Sequence, residues 1–184
     1  AEPFSSDSGL ALLILPFPAG YCEDEWQAIL AYAERGGSVI VDLPMSTTEE
    51  ANAAATRLGL HCTNLIRPIY YLVSGWSLTD TQGRFAGYAF HERVDVQGHG
   101  GEVVATFRDN GMAGLIATGP GGRVLVSAFP LGRSYFSSLH QGLRETIRKW
   151  LPSSLAPDIH ITGVPIEYRS LVEARVLESP KGNL

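Results

Sequence analysis

The first 43 residues constrain the fold more than any other stretch, because their hydrophobic period changes twice. Residues 10–15 form an unbroken apolar run ended by Pro16 and Pro18, the pattern of a central strand buried on both faces. From Glu23 the period becomes helical. Trp26, Ile29, Leu30 and Ala33 fall at i, i+3, i+4 and i+7, and Glu23, Asp24 and Glu25 stand where acids favour a helix N-terminus. Gly36 and Gly37 stop that helix, and residues 38–43 return to a β-branched apolar run. Strand, helix, strand in this order predicts a parallel βαβ unit.

Further along, Thr47 and Glu50 have capping-box spacing, and Ala51, Ala54, Ala55 and Leu58 share one helical face before Gly59. Residues 60–71 read as a further strand with a loop, whereas residues 74–101 hold no sustained period. Residues 102–107, 112–118 and 123–129 are short apolar segments separated by Asp109-Asn110-Gly111 and Gly119-Pro120-Gly121-Gly122, which predicts strands joined by tight turns. In residues 137–151, Leu139, Leu143, Ile147 and Trp150 repeat at helical spacing, as in a helix covering a sheet. Pro152, Pro157 and Pro165 mark a linker, and residues 171–177 alternate like a strand. The expected organisation is one α/β domain over residues 1–152, followed by a linker and the start of a truncated β-sandwich, or an appended strand, over residues 153–184. A late strand with nothing after it to cover one face, and a buried-type strand almost at the start, favour a piece of a longer chain. A last strand folding back onto the same sheet is the plainer explanation.

Composition narrows the partners. With 184 residues, 45% of them hydrophobic and 18% charged, the chain can build one well-packed core. A net charge of −5 with dispersed Lys and Arg gives no basic footprint for a phosphate backbone, so nucleic acid is not expected. No apolar run approaches the roughly 20 residues of a bilayer span, so no membrane partner is expected either. Cys22 and Cys62 are the only thiols, which neither requires nor implies a disulfide framework and fits a reducing cytoplasm.

Residues 10–16, the helix end Tyr32-Ala33-Glu34-Arg35-Gly36-Gly37 and the run at 38–43 resemble the class I glutamine amidotransferase-like fold. Residues 101–107, then Gly122-Arg123-Val124-Leu125-Val126 and Phe129-Pro130-Leu131-Gly132, resemble in their order the trimerisation domain of family 42 type β-galactosidases. The tail from Val172 is similar to the opening strands of the small β-sandwich that follows this domain in such enzymes. The resemblance implies a flavodoxin-like three-layer sandwich, a mostly parallel sheet with helices on both faces plus a C-terminal β segment. It also implies a non-catalytic assembly domain, trimeric with further copies of itself, in a glycoside hydrolase whose catalytic carboxylates lie in a preceding barrel domain.

The residues themselves supply little chemistry. An active amidotransferase-like site needs a Cys on a strand-to-helix elbow and an oriented His, but the elbow after residues 38–43 reads Pro44-Met45-Ser46 and the later strand is followed by Pro130-Leu131-Gly132. No catalytic residue and no cofactor is therefore expected. The enzymatic alternative is a divergent hydrolase using Cys22 at a helix N-terminus, against the plainer reading of a cap. Cys62 adjoins His61, yet neighbours in an extended segment point to opposite faces. His91, Glu92, Asp95 and His99 are metal-ligand types without metal-site spacing, and a solvated loop explains them. His140 and His160 are isolated. Tyr70, Tyr71, Trp76, Phe85, Tyr88 and Phe90 concentrate aromatic area in the unpatterned middle of the chain. Core packing or an oligomer contact is the leading reading for them, and carbohydrate stacking the alternative.

Overall fold

The computed structural model describes residues 12–16, 18–43, 47–67, 75–98, 100–138 and 141–151. The expected linker and β-sandwich start at 153–184 lie outside the described residues. In chain order the elements are β1 (Leu12–Pro16), α1 (Glu23–Glu34), β2 (Ser38–Asp42), α2 (Thr48–Arg57), β3 (His61–Ile66), β4 (Trp76–Asp80), β5 (Phe85–Ala89), β6 (Arg93–Gln97), β7 (Glu102–Phe107), β8 (Ala113–Thr118), β9 (Val124–Ser127), α3 (Leu131–Ser138) and α4 (Gln141–Trp150).

The βαβ start forms as the pattern predicts. The acids of the first turn lead α1, which buries Trp26, Ile29, Tyr32 and Ala33. Gly36 then turns the chain with φ +94, and Gly37 lies so close to the Tyr32 ring that a Cβ would overlap it. At α2 the Thr47 hydroxyl accepts the Glu50 N–H at 3.2 Å, and the Glu50 carboxylate accepts the Thr47 N–H at 3.2 Å. Both arms of the capping box are therefore made.

The sheet departs from the expectation. Its strands run β1-β2-β9-β8-β7-β4-β5, with β6 branching from β8 and carrying β3. Only β1–β2 and β2–β9 are parallel. The six remaining pairings among the described residues are antiparallel. The fold is thus a mixed, curled, mostly antiparallel sheet with few helices, and the flavodoxin-like, mostly parallel three-layer sandwich is overturned. The physical reason lies in the connections. Turns at Thr81–Arg84, Arg108–Met112 and Gly119–Arg123 are too short to cross the sheet, and a short connection returns the chain antiparallel. The unpatterned middle, moreover, contributes three strands. β1 is also not central: among the described residues it pairs with β2 alone, and Ile14 is 56% exposed.

β2 and β9 are buried along their whole length, as strands covered on both faces should be. Val39, Val41, Leu115, Leu125, Phe107 and Phe129 are fully buried in the core, with the two Phe rings edge-to-face at 6.1 Å. α4 packs on β5, where Gly87 admits the fully buried Leu143.

Candidate functional site

The parallel strands end together, with Pro16, Asp42 and Ser127 in register. In α/β sheets this carboxyl end is where ligands most often sit. Asp42 is the one acid in β2, and it is buried. Its Oδ2 accepts the backbone N–H of Leu131 at the start of α3, at 3.2 Å, while Oδ1 has no partner among the described residues. Burial pushes its carboxyl up to about 7, partly offset by the Leu131 N–H. Beside it the Ser127 hydroxyl donates to the Phe129 carbonyl at 2.6 Å and is thereby occupied. Such an acid can hold or release a proton near neutrality, but among the described residues no imidazole or thiol is bonded to it. The Pro44-Met45-Ser46 elbow lies outside the described residues.

Among the described residues neither thiol is bonded to a histidine. Cys22 is exposed and caps α1, its backbone N–H donating to the Glu25 carboxylate at 2.7 Å. Cys62 is buried, and burial pushes its thiol up to about 12, whereas His61 faces solvent on the opposite side of β3. His91 is held below the ordinary imidazole range, first by burial and then by Arg133, against the pull of Glu92. Asp95 is turned to Asn64, which donates to it at 3.2 Å. Among the described residues no three His, Cys, Asp or Glu side chains gather as a metal site. His99, His140 and His160 lie outside the described residues.

The aromatic candidates separate. Tyr70 and Tyr71 lie outside the described residues. Trp76 is half-buried, and with Phe107 it flanks the Arg93 guanidinium, whose Cζ lies 4.8 and 4.6 Å from the two ring centres. Arg93 also donates to Asp109 at 3.0 Å, so this cluster serves to hold a buried cation. Phe85 and Tyr88 are different: both are exposed on β5, their rings edge-to-face at 4.9 Å, with Phe90 6.0 Å beyond Tyr88. Among the described residues β5 ends the strand order, so this ring pair sits at the edge of the described sheet. Sequence reasoning missed Asp42 and Arg93. For Asp42 a signal existed, since a lone acid inside a buried-type apolar run is a perturbed group by position. Arg93 had none, because the strand holding it was not recognised.

The fold belongs with segments found inside glycoside hydrolases. A catalytic mutant of a family 42 β-galactosidase from G. stearothermophilus matches with TM-score 0.53 and 13% identity over 75% of this chain and 22% of that one. An exo-β-1,4-mannosidase from Opitutaceae bacterium strain TAV5 matches with TM-score 0.54 and 15% identity, covering 81% of this chain and 26% of that one. The β-galactosidase from Bacillus circulans sp. alkalophilus matches with TM-score 0.57 and 11% identity, covering 78% and 24%. At these identities the likeness is one of fold, and this chain spans about a quarter of those proteins' length. No family model matches the chain, and no curated protein matches it in sequence.

Proposed function

We propose that this chain is a non-catalytic assembly domain of a glycoside-hydrolase-like protein, associating with further copies of itself through the β5 edge, as a trimer by resemblance. One observation carries the reading: the same fold fills about a quarter of a β-galactosidase and about a quarter of a mannosidase. A segment shared by enzymes whose names give different sugars is a poor candidate for the part that reads the sugar. The exposed Phe85 and Tyr88 rings on an end strand supply aromatic area of the kind enriched at subunit contacts. Light scattering on the protein should give a defined oligomer, and a double variant Phe85→Ser, Tyr88→Ser should shift it towards monomer without changing its circular dichroism. A wild-type protein that stays monomeric across the accessible concentrations would remove the assembly role.

The same exposed ring pair favours a second reading, a carbohydrate contact, because sugar rings stack on exposed aromatic faces. It predicts a change in tyrosine emission on titration with galactosides that is lost in Tyr88→Ser. A flat titration excludes it.

A further inference from the structure

At the end of the sheet opposite Asp42, six segments converge on an open cleft of about 670 Å³, a size usual for small-molecule sites. They include the start of β2 at Ser38, the turn before β9, the β4–β5 hairpin and the end of α4, with the start of β7 at Glu102 and the end of β8 at Ala117 completing the wall. Gly121 and Gly122 adopt φ of +60 and +69, and the Gly122 carbonyl accepts the Trp150 indole N–H at 3.0 Å. The indole is thereby pinned in the wall.

The charges of the lining divide into a spent pair and an unspent set. Asp80 and Arg84 neutralise each other through two bonds of 2.9 and 2.7 Å. Arg123, Lys149 and Glu102 also line the cleft, and none of them makes an ion pair among the described residues. Two cations face one carboxylate here, in a chain whose net charge is −5. Ser38 adds an independent sign of a missing partner: it is 1% exposed, it lines the cleft, and its hydroxyl has no hydrogen bond among the described residues. A buried hydroxyl left so is unusual unless something external completes it.

We propose that this cleft binds a sugar acid, a monosaccharide bearing a carboxylate. Arg123 and Lys149 take the carboxylate, the guanidinium by its paired N–H groups. Glu102, Ser38 and Gln82 take ring hydroxyls, and Trp150 offers apolar surface to the ring. Glu102 decides against a simple inorganic anion, since a carboxylate repels phosphate but accepts hydrogen bonds from hydroxyls.

Calorimetric titration of the full chain with galacturonate, galactose and inorganic phosphate tests this. Galacturonate should bind with an affinity that falls as salt rises, and each of the other two should bind about tenfold more weakly or less, the worth of one charge-assisted contact. Lys149 is exposed, so Lys149→Gln should weaken galacturonate about tenfold with an unchanged melting temperature, and Arg123→Gln should do the same. Galactose binding as tightly as galacturonate would overturn the role of the cations. Phosphate binding as tightly would overturn the sugar assignment, and no heat with any of the three, or an unchanged affinity in both variants, would overturn the site.

Discussion

Asp42 holds Leu131 by its backbone, the carboxylate Oδ2 accepting the N–H at 3.2 Å across 89 residues of sequence, and so ties the end of β2 to the start of α3. The tie has a pH signature. Burial raises this carboxyl to about 7, so between the ordinary carboxylate range and pH 7 the folded protein binds a proton that the unfolded chain has released. The stability this group contributes is complete below pH about 4 and is lost as pH rises through about 7, by roughly 3–5 kcal/mol. Asp42→Asn keeps an acceptor for Leu131 and removes the titration. Urea midpoints should therefore fall from pH 5 to pH 8 in the wild type and stay level in the variant, and parallel profiles in the two would contradict the assignment.

Arg93 and Asp109 give the opposite sign. The Arg93 hydrogen bond, more than any other influence, holds the Asp109 carboxyl below the usual carboxylate range. Its contribution is present above pH about 4 and fades as pH falls through the lowered value. Asp109→Ala leaves a 5% exposed guanidinium side chain between two rings without its carboxylate. A loss of about 1–3 kcal/mol at pH 7 follows, read as a lowered denaturation midpoint. Arg93→Met with Asp109→Ala should recover part of it, since no buried charge is then left unpaired.

The elements around these two acids were legible in the sequence, whereas the acids' roles were not. In α1, β2, α2, β7 and β8 the element stood close to where the pattern put it, and α4 begins at Gln141 inside the span 137–151, because one-sided burial selects the helical spacing and cover on both faces the unbroken apolar run of β2. The sheet's direction was misread because a βαβ unit speaks only for its own two strands. β9 joins them in parallel, but short turns send the other strands back. β4, β5 and β6 escaped notice because β5 carries Gly87 and exposed Phe85 and Tyr88, while β6 buries Arg93 and Asp95. Strands that bury polar groups and expose rings break the alternation on which recognition depends. The cleft was hidden for another reason: its residues are scattered from Ser38 to Trp150, and only folding brings them together.

The two thiols should differ in access. Cys22 is exposed, whereas Cys62 is buried with its thiol raised to about 12, which keeps it protonated and unreactive at neutral pH. A chromogenic disulfide reagent should titrate one thiol in the native protein and two in urea. Cys22→Ser should abolish the native signal and leave any glycoside or amide hydrolysis unchanged. Loss of a hydrolase activity in that variant would revive the Cys22 nucleophile and end the non-catalytic reading.

The last prediction concerns Gly87, through which α4 reaches the sheet. Its φ is +142, and a Cβ there would lie 3.1 Å from the Leu143 Cβ. Gly36 also has a positive φ, +94, but a Cβ there would meet nothing within 4 Å. Gly36→Ala therefore reads backbone strain alone, about 1 kcal/mol. Gly87→Val adds a steric wedge under a fully buried leucine, together costing about 2–4 kcal/mol. Because α4 carries Lys149 and Trp150 to the cleft, the wedge should also raise amide exchange in α4 while leaving α1 unchanged. Equal losses in the two variants, or uniform exchange in both helices, would mean that α4 does not depend on the bare backbone of β5.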